Sequence, residues 1–445
     1  MANGARKTKS AITAITVRNY KSICQEQRLE LRPLTLLAGA NSSGKSSIMQ
    51  PLLLLKQTLE APFDPGPLLL DGPNVRFTST EQLFCKVESS DCDSFAVKFE
   101  MGKHDSLEVV FNRNRQHGVA VGIEGMSYVE NGAPHWIHTG MSSDEIENIL
   151  PKHIKELRDK ASTNEKREVL WEVARDRCFL NFNMKLAGRM HKGLLFGGIS
   201  PASLVGPQLE KIIHVPGLRG NPARTYRTTA VGNSFPGTFE NYCASIINHW
   251  QSSKDDRLKA VGKSLEILGL TWKVEAKPLD DTQVELRVGR LPHSVRGGAR
   301  DLVSIADVGF GVSQTLPVIV ALLAAVPGQI VYIEQPEIHL HPKAQKLMAR
   351  LLSDAALRGV IVVVETHSSL LLRGIQTLVA SDELPSSLVR LHWFTREEKT
   401  GATIVNSSGM DEQGAFGEWP EDFDEVALEA ESEYLDAVER RGLHA

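Results

Sequence analysis

Between residues 11 and 37 apolar and polar positions alternate, with Ile12, Ile15 and Val17 first and Leu29 and Leu31 later. A period of two predicts a strand, a turn and a second strand. Leu34-Thr-Leu-Leu-Ala38 is a short apolar run, the pattern of a buried strand, and Ser46–Lys56 is long enough for a helix. Pro62–Pro73, rich in Pro, Gly and Asp, reads as a loop. Alternation returns in Phe95-Ala-Val-Lys-Phe99 and Leu107-Glu-Val-Val-Phe111, which predicts an antiparallel sheet. At about Ser142 the texture changes. Ser142-Ser-Asp-Glu145 has the form of a capping box, and charge spacing from Ile154 to Arg177 predicts helix too short for a long coiled coil. Further on come a turn-rich stretch (Val215–Pro222), a helix around Arg257–Leu268 and β-runs at Trp272–Ala276 and Gln283–Val288. From Asp301 strand and helix alternate, and no internal repeat is visible.

These patterns predict an α/β protein in which a mixed sheet joins an antiparallel β-subdomain. The expected divisions are an N-terminal lobe over 1–130, a helical insertion over 131–205, a C-terminal lobe over 206–410 and an acidic tail over 411–445. With 445 residues and 42% hydrophobic content, the chain is large enough for two packed lobes. A net charge of −4 argues against coating nucleic acid through overall charge, though it leaves local basic patches open. Cys24, Cys85, Cys92, Cys178 and Cys243 show no C-x-x-C spacing, which fits a reducing compartment and gives no zinc site. The basic leader (Arg6, Lys7, Lys9) has no apolar core, and Leu316–Val326 is too short to span a bilayer, so a cytoplasmic protein is expected.

The candidate chemistry begins at Gly39-Ala-Asn41-Ser42-Ser43-Gly44-Lys45-Ser46, followed by Ser47. It fits G-x-x-x-x-G-K-[ST], with a strand before it and a helix after it, as a P-loop requires. Backbone N–H groups at such a helix start cradle phosphates, Lys45 adds a point charge, and the Ser46 hydroxyl ligates Mg²⁺. The expected ligands are ATP and Mg²⁺. Ile330-Val-Tyr-Ile-Glu334 has the form of a Walker B strand, with Glu334 expected to hold Mg²⁺ opposite Ser46. Val360–Glu365 reads as a strand buried on both faces, and His367 just beyond it is placed to reach a γ-phosphate. Asp307-Val-Gly309-Phe-Gly311-Val-Ser313-Gln314 opens an apolar helix and offers a second phosphate-binding surface.

The order P-loop, Gly/Ser/Gln helix start, Walker B, then His resembles the ABC-type ATPase heads of the RecF/SMC/OLD kind. Asn19-Tyr-Lys21-Ser, Gln335-Pro-Glu337-Ile-His339-Leu-His341-Pro342 and Glu365-Thr-His367-Ser368 carry the likeness. Val215–Tyr226 and Gly417-Glu-Trp419-Pro420-Glu-Asp-Phe423 are similar to the middle motif and the C-terminal W-P segment of a bacterial group within it. The resemblance implies a head-to-head dimer or higher homo-oligomer, in which Gly309, Gly311, Ser313 and Gln314 contact ATP bound to the second copy. It adds Asn19 and Lys21 to the nucleotide contacts and makes His367 the switch histidine.

Two departures qualify that picture. No L-S-G-G-Q string is present, so Ser313 is taken as the signature serine with Ser304 as the alternative. Gln335 stands where the resemblance expects a catalytic Glu, and an amide cannot serve as general base. Glu337 is the residue expected to replace it, with slow turnover. His339 and His341 suggest packing or interface contacts ahead of a metal pair. The Arg219, Arg224 and Arg227 cluster suits phosphate, nucleic acid or the acidic tail. Asp411–Glu439 holds twelve carboxylates with no Lys or Arg, a solvated helix or a docking tail. The group occurs as ATPase components of anti-phage systems with a separate effector, a Toprim or HNH nuclease for example. A sensor or scaffold of that kind is the first expectation. The alternative is a RecF-like DNA-repair ATPase that clamps DNA. A transporter ATPase is disfavoured because such heads place Walker A and B much closer together than Gly39 and Glu334, and no surface for a membrane partner can be read.

Overall fold

The structure, a computed structural model, describes residues 11–87, 90–102, 104–113, 121–130, 132–150, 154–156, 159, 169–186, 195–293, 301–417 and 432–436. β1 (Ile12–Arg18), β2 (Gln27–Glu30) and β3 (Leu34–Gly39) lead into helix α1 (Lys45–Glu60). A small hairpin, β4 (Lys86–Val87) and β5 (Ser90–Asp91), precedes β6 (Ser94–Met101), β7 (Asp105–Arg113), β8 (Val121–Glu130) and β9 (Ala133–Ile137). Six of these strands build the antiparallel sheet β2-β1-β6-β7-β8-β9, the subdomain that the alternating runs predict.

The next segment departs from expectation. Ser142 does form the capping box with Glu145, and α2 (Ser143–Ile149) follows it. Beyond lie three strands, β10 (Val169–Asp176), β11 (Phe179–Leu186) and β12 (Leu195–Ile199), paired antiparallel. Charge spacing misled the helical reading here. Glu172 pairs with Lys185 across the β10–β11 hairpin, not along a helix, and Trp171 and Val173 alternate with more exposed neighbours as a strand demands. Most of the stretch between Ile154 and Val169 lies outside the described residues.

After α3 (Gly206–Glu210) come β13 (Ile213–Val215), β14 (Tyr226–Arg227), α4 (Cys243–Ser252), α5 (Arg257–Ile267), β15 (Val274–Pro278), β16 (Gln283–Gly289) and β17 (Leu302–Ser304). The chain finishes its second lobe with α6 (Phe310–Ala324), β18 (Ile330–Glu334), α7 (Pro342–Leu357), β19 (Ile361–Glu365), α8 (Ser369–Ala380), β20 (Val389–Arg396) and β21 (Thr403–Gly409). The central sheet runs β13-β18-β19-β3-β20-β21, parallel except for the last pair. The fold is therefore mixed α/β, with the N-terminal strand β3 between two strands from the far end of the chain.

Both faces of this sheet are covered, so its strands read as unbroken apolar runs. Leu34, Leu36, Val331, Ile333, Val362 and Val364 point into one core, with α4 to α8. Leu37, Tyr332 and Val363 point into the other, with α1 and the antiparallel sheet. Two further findings bear on the expectations. Cys24 and Cys85 form a disulfide, against the expectation of reduced cysteines, because the fold brings together two residues that the sequence holds far apart. The W-P segment and most of the acidic tail lie outside the described residues. No helix among the described residues is long and apolar enough to cross a membrane.

Candidate nucleotide site

The P-loop leaves the C-terminal end of β3 with Gly39, Ser42 and Gly44 at φ of 139°, 60° and 102°. Glycine is needed at 39 and 44 for space as well as conformation. A Cβ at 39 would lie 2.2 Å from the Phe394 carbonyl oxygen of β20, and one at 44 would lie 2.3 Å from Thr403 Oγ1 of β21. The β20–β21 hairpin is thus the floor of the loop. Thr403 Oγ1 donates to the Ser43 carbonyl at 2.9 Å, Ser22 Oγ bonds Thr403 Oγ1 at 2.8 Å, and Arg396 Nε donates to the Ser42 carbonyl at 2.7 Å. Ser22 closes the Asn19-Tyr-Lys21-Ser motif, whereas Arg396 and Thr403 belong to no motif and only packing reveals them.

Lys45 Nζ donates back into the loop, to the carbonyls of Gly39 at 3.0 Å and Ala40 at 2.7 Å. Burial lowers its pKa, and the carboxylates of Glu365 and Glu337 act in the opposite direction. These three charges therefore share one pocket of field. Ser46 Oγ lies 2.9 Å from both carboxylate oxygens of Glu365, a residue 5% exposed at the end of β19. The sequence reading expected Glu334 opposite this hydroxyl. The structure instead ties Glu334 to His214 Nε2 at 3.0 Å and to the Gly217 N–H at 3.0 Å. The strand order explains the difference, since β19 separates β18 from β3. Burial raises the pKa of Glu365, with Ser46 and Tyr332 acting against it. Glu334 is lowered on balance: burial raises it, and the His214 and Gly217 contacts outweigh that.

Beyond β18 the chain turns sharply, with Gln335 at φ 45° and His339 at φ 64°. The Gln335 N–H donates to the Glu365 carbonyl at 2.7 Å, and Arg219 Nη2 donates to the Glu334 carbonyl at 2.7 Å. This turn carries Glu337 inward. Its Oε1 accepts the His367 N–H at 2.8 Å, while Oε2 is buried with no hydrogen-bond partner among the described residues. Burial raises its pKa, making it a stronger base than an ordinary glutamate. His367 is lowered by burial and by Lys45, so its ring is neutral near pH 7. Gly39, Ala40, Asn41, His367, Phe394 and Arg396 line a cavity of about 390 Å³ at this point.

The remaining expected residues fall elsewhere. Asn19 and Lys21 sit in the turn after β1, at φ 58° and 52°, with Lys21 Nζ 4.6 Å over the Phe77 ring. That turn reaches the P-loop through Ser22. Gly309 precedes α6, Ser313 Oγ donates to the Phe310 carbonyl at 3.2 Å, and Gln314 Nε2 donates to the Gly220 carbonyl at 2.8 Å. Ser313 and Gln314 line a different cavity, of about 570 Å³, with Arg219, Tyr226 and Arg227. Arg224 pairs with Asp307 at 2.8 Å, so the middle motif and the α6 motif form one unit. His339 packs against the Phe310 ring and His341 accepts the Lys343 N–H at the start of α7. No group of three or more His, Cys, Asp or Glu residues among the described residues is arranged to hold a metal ion. Hard oxygen donors from Ser46 and Glu365 still suit Mg²⁺, which uses one or two carboxylates with phosphates and water.

Comparison with known proteins adds the following. No curated protein matches the chain in sequence. Among solved structures it is similar to an Smc head bound to the C-winged helix domain of ScpA (11% identity, 90% of this chain and 98% of that one, TM-score 0.47). It is also similar to the SMC head domain of Thermotoga maritima (13% identity, 89% and 98%, TM-score 0.39) and to an Smc head with extended coiled coil bound to a ScpA domain derived from Pyrococcus furiosus (12% identity, 96% and 99%, TM-score 0.42). Residues 11–185 match the family described as "AAA ATPase domain". Residues 141–373, which include Walker B and His367, match a second model over more than half of the chain, and the chain belongs to that family, "AAA domain, putative AbiEii toxin, Type IV TA system".

Proposed function

We propose that this chain binds ATP with Mg²⁺ and hydrolyses it slowly, as an ATP-switched sensor or scaffold subunit of an anti-phage defence system that governs a separate effector, a nuclease such as a Toprim or HNH enzyme. The observation that carries the reading is the convergence of Lys45, Ser46, Glu365, Glu337 and His367 where β3 and β19 end.

In this reading the loop N–H groups and Lys45 hold the phosphates, releasing the Lys45 contacts to Gly39 and Ala40. When bound, Mg²⁺ supplies charge neutralisation between the phosphates, held on the Ser46 side of the pocket. The bare Glu337 Oε2 takes a proton from the attacking water, and neutral His367 orients the γ-phosphate by donating a hydrogen bond. Gln335 lacks that capacity, so the ATP-bound form is long-lived and works as a signal. In this reading Gly309 and Gly311, at the open start of α6 and outside the lining of this cavity, meet ATP on a second copy with the buried Ser313 and Gln314 behind them, and the working form is a homodimer or larger. The toxin and TA system in the matched family's description support a defensive role over a DNA-repair one.

The test is ATP turnover and mass by light scattering, with and without ATP, for wild type and Lys45→Ala. Turnover and an ATP-dependent mass increase, both lost in Lys45→Ala, support the reading. A mass that never changes removes the switch. Tight, steeply salt-dependent binding of duplex DNA by the chain alone moves the assignment to the RecF-like alternative.

A further inference from the structure

The two carboxylates that end β18 and β19 are paired in register, Glu334 beside Glu365, yet they are held by different hands. Both oxygens of Glu334 are engaged on the side away from the P-loop, one by His214 and one by the Gly217 N–H. The His214 ring is fixed in turn. Asn74 Nδ2 donates to the Gly237 carbonyl at 3.0 Å and to His214 Nδ1 at 3.1 Å, so Nδ1 is the acceptor and Nε2–H faces Glu334. Arg219 locks the backbone of the same turn through the Glu334 carbonyl. To face the P-loop, Glu334 has to abandon two hydrogen bonds in a site where an unpaired polar group is costly.

Glu365 is in the opposite situation. Its oxygens already meet the Ser46 hydroxyl, and Tyr332 Oη donates to Oε2 at 3.0 Å from a fully buried ring. One hydroxyl proton cannot satisfy two oxygens fully, so the Ser46 contact is the exchangeable one, and the Tyr332 contact is the anchor. We propose that Glu365, not Glu334, is the carboxylate facing the Mg²⁺ beside Ser46, and that Glu334 fastens the Walker B turn to the 214–219 segment. This assignment rests on the ATP reading above and refines it.

The experiment loads the full chain with ATP and Mn²⁺ as the probe metal. Protein-bound manganese is read by electron paramagnetic resonance, and fluorescent ATP uptake in EDTA reports nucleotide binding separately. Glu365→Gln is expected to weaken manganese retention by about tenfold or more while metal-free nucleotide uptake is kept. Glu365→Asp, which keeps the charge but draws it back by a methylene, is measured beside it in case the amide variant does not fold, and falls in the same direction. Glu334→Gln keeps manganese and loses melting temperature. Manganese lost through Glu334→Gln and kept by both Glu365 variants overturns the assignment, as does equal loss or equal retention in both positions. A wild-type chain that takes up no fluorescent ATP removes the nucleotide reading itself, a failure distinct from any of these.

Discussion

The rings of His214 and Tyr332 lie stacked, 5.5 Å apart and 10° from parallel, and each donates to a different carboxylate, His214 to Glu334 and Tyr332 to Glu365. One aromatic pair therefore sets the spacing of both acids beneath the nucleotide site. His214→Ala takes one of two hydrogen-bond partners from the Glu334 carboxylate and from Asn74 Nδ2, and opens space beside Tyr332. A loss of about 2–4 kcal/mol is expected in denaturant unfolding, because a buried hydrogen-bonded network and packing go together. His214→Gln, which can still donate to Glu334, recovers part of it.

Glu337→Gln tests the base. General-base removal costs about 10²–10⁴-fold in turnover. Gln335→Glu added to that variant does not restore the rate, because the 335 side chain lies toward Gly217 and Glu334 while Glu337 reaches His367. Single-turnover hydrolysis of labelled ATP reads both. A double variant as fast as wild type would falsify the role of Glu337.

The same residue makes a pH prediction. Its folded pKa is raised by burial above the ordinary 4.5, so its contribution favours the protonated fold, is present below that value and is lost as pH rises through the folded pKa. Glu337→Gln removes this handicap and melts higher than wild type near pH 8 but not near pH 4. Turnover behaves inversely. The acidic limb of the wild-type rate profile stands above the usual glutamate range, since only the ionised carboxylate accepts a proton.

Thr403→Val removes the hydroxyl that Ser43 and Ser22 share while keeping the shape. Stability falls by about 1–3 kcal/mol, and ATP binds more weakly because the loop loses its floor. Gly44→Ala is more severe, since its Cβ meets Thr403 at a left-handed φ. Titration of fluorescent ATP against each variant checks the order.

Reduction of the Cys24–Cys85 bond, which closes a separation of 61 residues, is expected to cost about 2–4 kcal/mol in thermal or urea unfolding. Matched melts with and without dithiothreitol settle it, and Cys24→Ser reproduces the reduced curve.

The legible parts of this chain were those governed by local pattern. Leu34–Ala38 and Val360–Glu365 read as buried strands because both faces are covered, and Gly39–Ser46 read as a P-loop because each glycine has a steric reason. Glu365 escaped as the partner of Ser46 because strand order, not strand identity, decides which carboxylate lies next to α1, and pairing order has no signature within a strand. Ser22, His214 and Thr403 are ordinary polar residues whose roles exist only once three distant segments meet. The β10–β11 hairpin was misread because opposite charges look alike whether they pair along a helix or across strands.

The floor of the P-loop comes from the far end of the chain, and this sets an order of events during synthesis. β3 pairs only with β19 and β20, and Gly44 rests on Thr403. At about 5–20 residues per second, a ribosome needs on the order of 20–70 s after making the P-loop to deliver residue 403. Through that interval an apolar strand waits with both edges unpaired. The nascent chain is then a client for holding chaperones, and nucleotide competence arrives all at once, only after residue 403 has been delivered.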